Sequence, residues 1–218
     1  MKLGGHPAIV QRPRNAFALY SLAHGAGAGM THAFMVEIAD ALAARKVATV
    51  RWDFPYMAAG KARTDPAPIA EAAVRAVWDT LDDDLPRFAG GKSYGGRMTA
   101  RAHAAQPLAG ALGLIFLGFP LHPPDKPGIE RAEHLGRTTT PLLLLQGTRD
   151  ELALPEHLHP MIATLHEVAH ADHGFDVLVR SGRTHAEVIA ELADVIASWM
   201  EARIAACGRA TRRGTRRS

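Results

Sequence analysis

Gly91-Lys92-Ser93-Tyr94-Gly95-Gly96 is the stretch on which the reading of this chain turns. It carries Gly-x-Ser-x-Gly, the pattern of a nucleophile elbow, where a strand stops, the chain turns sharply and a helix starts. A Ser hydroxyl is a poor nucleophile until the fold lifts it clear and a base takes its proton. The elbow does the lifting. Gly91 and Gly95, two before and two after the Ser, let strand and helix pass close, and Gly96 leaves further room.

Outward from the elbow, apolar β-rich runs alternate with helical patterns. Strands are expected at 17–23, 47–52, 87–92, 111–117, 141–146 and 167–171, with a short edge strand at 9–11. Helices are expected at 31–45, 67–84, 94–106, 128–136, 155–165 and 183–205. Strict alternation predicts an α/β fold: a mostly parallel central sheet of about six to seven strands with helices on both faces. The run Leu142-Leu143-Leu144-Leu145 fits a strand covered on both sides.

The 218 residues are 47% hydrophobic and 22% charged, which suits one globular domain with a sizeable core. The longest apolar run, near 110–119, falls short of the roughly 18 residues a membrane helix needs. The N-terminal MKLGGHPAIVQRPR lacks a secretory apolar region, and the single Cys207 cannot form an internal disulfide. A cytoplasmic setting is therefore expected. Six arginines follow Glu201 with no acid among them, so the net charge of +3 becomes −3 for residues 1–201. The basicity belongs to the end of the chain. The expected organisation is a single domain over 1–206 and an Arg-rich, disordered tail over 207–218, read as a solubilising end and not as a nucleic-acid contact.

In an open parallel sheet, ligands bind outside the carboxyl ends of the strands. Chemistry is therefore expected in His24-Gly-Ala-Gly-Ala-Gly29, at Asp53–Tyr56, at Ser93, in Gly118–His122, in Gly147-Thr-Arg-Asp150 and in Asp172-His-Gly174. An activated Ser needs a base, and the base needs an acid to fix its tautomer. Asp150 follows the all-Leu strand and is the candidate acid, with Glu151 beside it as the alternative. The base must come from the loop after the last strand. His173, followed by Gly174, is favoured over His170, still within the expected strand, and His185, in the first turn of the final helix. The tetrahedral intermediate needs preorganised donors. The Tyr94 N–H at the helix start is one, and the glycine-rich loop, at Ala26, supplies the second. That loop is not a nucleotide site: Gly25-x-Gly27-x-x-Met30 lacks the last glycine of a dinucleotide fingerprint, and no Lys-Ser/Thr pair follows it. Lys92 is read as a structural or local charge, because adjacent residues at a strand end project in different directions.

The order Ser93, Asp150, His173 is the Ser…Asp…His order of α/β-hydrolases. With HGAGAG at 24–29, GKSYGG at 91–96, QGTRDE at 146–151 and ADHGF at 171–175, the chain resembles the α/β-hydrolase superfamily. It is most similar to its small, capless, dienelactone-hydrolase-like branch. The resemblance spans roughly 17 to 200. It implies Ser93 as nucleophile, Asp150 as orienting acid, His173 as base, and Ala26 and Tyr94 as oxyanion donors, with no cofactor. Dienelactone hydrolases proper use a Cys nucleophile where this chain has Ser93, so their substrate does not carry over.

His166-Glu167-Val168-Ala169-His170 matches the zinc-protease pattern H-E-x-x-H, with Glu187 or Glu191 as a conceivable third ligand. That chemistry needs a helix. On the strand expected here the two His lie about 13 Å apart, so no metal site is expected. Only some 23 residues separate the strand ending near Leu117 from the next, too few for a helical cap. An open site for small acyl substrates follows, with Phe54, Tyr56 and Met57 as one candidate wall and Phe119, Leu121 and His122 as another. The function expected is a serine esterase or thioesterase. The alternatives are an α/β-hydrolase fold kept as a non-catalytic binding module, or zinc hydrolysis through His166 and His170.

Overall fold

Apolar strands buried along their whole length set the centre of the sheet. In a computed structural model of the chain, residues 1–81, 84–124, 126–153, 155–158 and 164–214 are described. The strands are β1 (Lys2–Leu3), β2 (His6–Gln11), β3 (Ala18–Ala23), β4 (Val47–Trp52), β5 (Arg87–Lys92), β6 (Ala111–Leu117), β7 (Leu142–Gly147) and β8 (Leu165–Val168). The helices are α1 (Ala33–Ala44), α2 (Pro55–Ala58), α3 (Ala67–Asp79), α4 (Tyr94–Ala105), α5 (Pro155–Leu158) and α6 (His185–Gly214). All six residues of β3 and all six of β4 are buried. The sheet runs β1-β2-β4-β3-β5-β6-β7-β8. From β4 to β8 every pairing is parallel, and β2 adds antiparallel to β4.

Each central strand feeds two cores, because successive side chains point to opposite faces. Leu114 and Phe116 face the side that holds Val74, Val77 and Trp78 of α3 and Met98 of α4. Ile115 and Leu117 face the side that holds Phe34, Ile38 and Leu42 of α1 and Val188, Leu192, Ile196 and Met200 of α6. The α6 residues recur every four positions, which puts one apolar stripe against the sheet. That helix starts on a capping box: Glu187 Oε2 accepts the Thr184 N–H at 2.7 Å, and Thr184 Oγ1 accepts the Glu187 N–H at 3.2 Å.

The eight strands exceed the six to seven expected, the addition being β1, a two-residue partner of β2. Residues 128–136 do not form the expected helix. Turns lead to a short 3₁₀ segment, Leu135–Arg137. Ala132 and Leu135 are buried as the helical spacing demanded, but Ile129 is exposed. Gly128 and Gly136 weaken a helix at both ends of so short a stretch. The helix expected at 155–165 is realised as α5, with residues 159–163 outside the described set, and β8 begins at Leu165, two residues before the expected strand. At the other end α6 continues through Gly214, past the boundary drawn near 206. Ala205, Ala206 and the arginines favour helix, and the single Gly208 interrupts them too little to stop it. Residues 215–218 lie outside the described set. Among the described residues, no helix is long and apolar enough to cross a membrane.

Candidate active site

The elbow forms where β5 meets α4. Ser93 is the N-cap of α4 and adopts φ 48°, ψ −112°, a conformation that a side chain rarely takes. Two close approaches explain why its neighbours are glycines. A Cβ on Gly91 would lie 2.3 Å from the Ala23 carbonyl oxygen, and one on Gly95 would lie 2.5 Å from the carbonyl oxygens of Ala23 and His24. The helix thus crosses directly over the end of β3 and holds the Ser93 hydroxyl above the sheet.

Three loops bring Ser93, Asp150 and His173 together. His173 Nε2 lies 2.8 Å from Ser93 Oγ, and His173 Nδ1 lies 2.7 Å from Asp150 Oδ2. Asp150 is fully buried. Its Oδ1 accepts the Leu152 N–H at 2.9 Å, and its Oδ2 also accepts from Gln146 Nε2. A carboxylate surrounded by donors fixes the imidazole tautomer: Nδ1 carries the proton toward Asp150, and Nε2 is left to accept from the Ser93 hydroxyl. Such an array can take a proton from Ser93 and hand it on.

Two residues that hold this array were not singled out as doing so from the sequence. Gln146 ends the all-Leu strand, and its Oε1 accepts the Phe119 N–H at 2.9 Å while its amide donates to Asp150. A lone amide following four leucines in an apolar run was the available signal. Lys92 extends beneath His173: its Nζ donates to the His173 carbonyl and lies 5.1 Å from the Phe175 ring and 5.8 Å from the Phe34 ring. Burial pulls its pKa down to about 8, partly offset by Asp150, Asp172 and Asp176.

The Tyr94 N–H is the first of α4 and has no intrahelical acceptor. Ala26 lies across from it in the β3–α1 loop, and both residues line one cavity of about 550 Å³ with Ser93 and His173. His24 anchors the loop. Its Nδ1 lies 2.7 Å from the Gly25 carbonyl, and its Nε2 accepts the Phe54 N–H at 3.1 Å. Burial lowers its pKa, which keeps it in the neutral form this pattern requires. The Tyr56 hydroxyl adds a bond from the Gly27 N–H at 3.2 Å.

The residues expected as substrate walls do not line this cavity. Phe54, Tyr56, Phe119 and Leu121 are buried in the core, Met57 packs against it, and His122 bonds its own neighbour Pro123. None of the six is among the described residues lining the cavity. Aromatic residues beside a site look like walls in sequence, but Phe54 packs on Trp52 at 4.5 Å between centroids and on His24 of the β3–α1 loop at 5.1 Å. The cavity is bounded instead by Ala28, Phe34, Met35, Thr64, Pro120 and Leu152, with Arg97 and Arg131. A second cavity, about 440 Å³ and bounded by Glu71, Arg101, His103 and His134, has none of Ser93, Asp150 and His173 in its described lining.

The H-E-x-x-H pattern does not lie on a helix. His166 and Glu167 are in β8, and His170 is in the turn beyond it at φ 64°. His166 Nε2 lies 2.7 Å from Glu191, which also accepts from Arg183. Zinc hydrolysis through these residues lacks the shared helical face it needs.

The segment between β6 and β7 carries no inserted cap domain among its described residues. Solved structures share this architecture. The chain superposes on dienelactone hydrolase from Anabaena variabilis with a TM-score of 0.68 at 20% identity, covering 89% of this chain and 90% of that one. It superposes on Est1E from Butyrivibrio proteoclasticus, solved with ferulic acid bound, with a TM-score of 0.70 at 19% identity, covering 94% and 98%. A serine hydrolase without lid from Xanthomonas campestris gives 0.63 at 19% identity, covering 88% of each. At such identities the likeness is one of fold. No curated protein sequence matches the chain significantly. A profile described as alpha/beta hydrolase domain matches residues 17–201, nearly the whole sheet and its helices, and the chain therefore belongs to that α/β-hydrolase family.

Proposed function

We propose that this hydrolase is a serine hydrolase that cleaves a small ester or thioester through an acyl-enzyme on Ser93. The observation that carries the reading is His173, held 2.8 Å from Ser93 Oγ on one side and 2.7 Å from buried Asp150 on the other. Ser93 Oγ attacks the carbonyl carbon as its proton passes to His173 Nε2. The Asp150 carboxylate stabilises the imidazolium that results. The carbonyl oxygen becomes an oxyanion facing the Tyr94 and Ala26 N–H groups, where the positive end of α4 adds to the stabilisation. Collapse breaks the bond to the leaving group, which takes the proton from His173. A water then repeats the sequence with His173 as base, releasing the acid and restoring Ser93. The absence of a cap domain suits substrates reaching the site directly from solvent.

Labelling by a fluorophosphonate probe tests the activation of Ser93. Wild type should label, and Ser93→Ala, with an unchanged circular dichroism spectrum, should not. A well-folded wild type that stays unlabelled, or a Ser93→Ala variant that still labels, would overturn the reading.

A further inference from the structure

Two guanidinium groups border the cavity that holds Ser93, and the proposed chemistry uses neither. Arg97 follows Ser93 by four residues, and its N–H donates to the Ser93 carbonyl at 3.0 Å. Arg97 thus stands in the first turn of the helix that Ser93 caps, and both residues line the same cavity. Arg131 reaches the cavity from the β6–β7 segment, steadied by an Nη1 bond to the His122 carbonyl at 2.9 Å. Both are partly buried.

Their surroundings are unlike those of other arginines in the molecule. Arg45 is paired with Asp194, Arg101 with Glu71 and Arg183 with Glu191. Among the described residues, Arg97 and Arg131 have no carboxylate within ion-pair distance. The Arg97 guanidinium instead lies 5.8 Å from the Tyr94 ring centroid. Burial lowers its pKa, and the charges of Arg131 and Arg101 lower it further, only partly countered by Tyr94 and Glu71. The described lining of the cavity contains Lys92, Arg97 and Arg131 and no Asp or Glu. Like charges gathered in a half-dry cleft repel, and an anion entering the cleft relieves that repulsion. Guanidinium forks match oxyanions well, and bonds with charge on both partners are the stronger class.

We propose that Arg97 and Arg131 bind an oxyanion, a carboxylate or a phosphate, carried by the substrate a few bonds from the carbonyl that Ser93 attacks. The proposal rests on the serine-hydrolase reading and narrows its substrate class to anionic acyl compounds. Arg97 is one helical turn from the nucleophile, so the charged group lies at the far end of a short acyl chain or in a short leaving group.

The test compares 4-nitrophenyl hydrogen glutarate with 4-nitrophenyl valerate, nearly equal in length and different in terminal charge. The quantity read is the ratio of their kcat/KM values, which general damage to the site does not move. Wild type should favour the glutarate ester about tenfold or more, and Arg97→Gln and Arg131→Gln should each lower the ratio about tenfold. Arg101→Gln, paired outside the cavity, should keep it within about twofold. Arg97→Lys and Arg131→Lys serve where a Gln variant does not fold, and should give intermediate ratios. Competition by glutarate and by propyl phosphate sorts carboxylate from phosphate. A wild-type ratio near one, or a ratio unchanged when both arginines are replaced, overturns the proposal while leaving valerate hydrolysis and fluorophosphonate labelling to support the triad. If neither ester turns over and Ser93 does not label, the hydrolase reading fails. The anion site is then read from thermal unfolding: glutarate should raise the Tm of wild type and not of the double variant, and no rise in wild type overturns it.

Discussion

Replacing Lys92 by Met should change how stability depends on pH, by an amount the structure sets. The ammonium is buried between Phe34 and Phe175, and its pKa falls from 10.5 to about 8. Between those values the unfolded chain binds a proton that the folded chain does not, so stability rises with pH across the window. Below pH 8 both states are protonated, and the folded state carries the full cost of the buried charge, roughly 3 kcal/mol for a shift of this size. About 2 kcal/mol of it should be recovered between pH 7 and pH 9.5. Met keeps the length of the side chain and removes the titration. Urea unfolding of both proteins at pH 7 and pH 9.5 reads the difference, because other titrating groups are common to the two. Wild type should gain about 2 kcal/mol on Lys92→Met over that interval. Parallel profiles, within about 0.5 kcal/mol, would show that Lys92 keeps its charge at no cost and would refute the argument from burial.

Three further outcomes are expected. Asp150→Asn should lower kcat by about four orders of magnitude with little change in Tm, because the amide favours the wrong imidazole tautomer; a loss below tenfold in steady-state ester hydrolysis would remove Asp150 from the proposed triad. Gln146→Met should cost about 1–3 kcal/mol in urea unfolding, since it strands the buried Phe119 N–H, and should also lower kcat by freeing Asp150; unchanged stability would mean that the Phe119 N–H finds another acceptor. His24 has its pKa lowered by burial, so below its ordinary value of 6.5 the unfolded chain binds more protons and stability falls on acidification. His24→Gln, which keeps an acceptor for the Phe54 N–H, should lose less stability than wild type between pH 7 and pH 5 by chemical denaturation, and equal losses would count against a neutral buried His24.

The sheet and the meeting of Ser93, Asp150 and His173 were legible because both follow from order along the chain. Strands alternating with helices place every β-to-α loop at one edge, and Ser93, Asp150 and His173 each follow a strand that the apolar pattern marks. The last strand was read two residues late, since Glu167–Ala171 and Leu165–Val168 have similar polarity and only pairing with β7 decides between them. The lining of the site was not legible. Phe54 and Phe119 were read as walls because aromatic rings in loops look exposed, whereas tertiary packing buries them completely. Arg97 falls in the first turn of the helix expected after Ser93, near the elbow in sequence but with no sign of which way its side chain points. Arg131 had no signal either, because a loop without periodicity gives no direction to its side chains.

Helix α6 has a consequence for the order of assembly. It follows all eight strands along the chain, and it covers the side of the sheet that carries Ile115, Leu117, Leu143 and Leu145. Ribosomal synthesis therefore completes the central strands, with Ser93 and Asp150 just beyond them, while half of one greasy surface is still bare. His173 and the cover both follow the last strand. A polypeptide that stops short of them lacks the proposed base and presents a sticky, open β-surface to its neighbours. On the proposed chemistry, gain of catalysis and escape from aggregation are thus coupled, both waiting on the segment from His173 through α6.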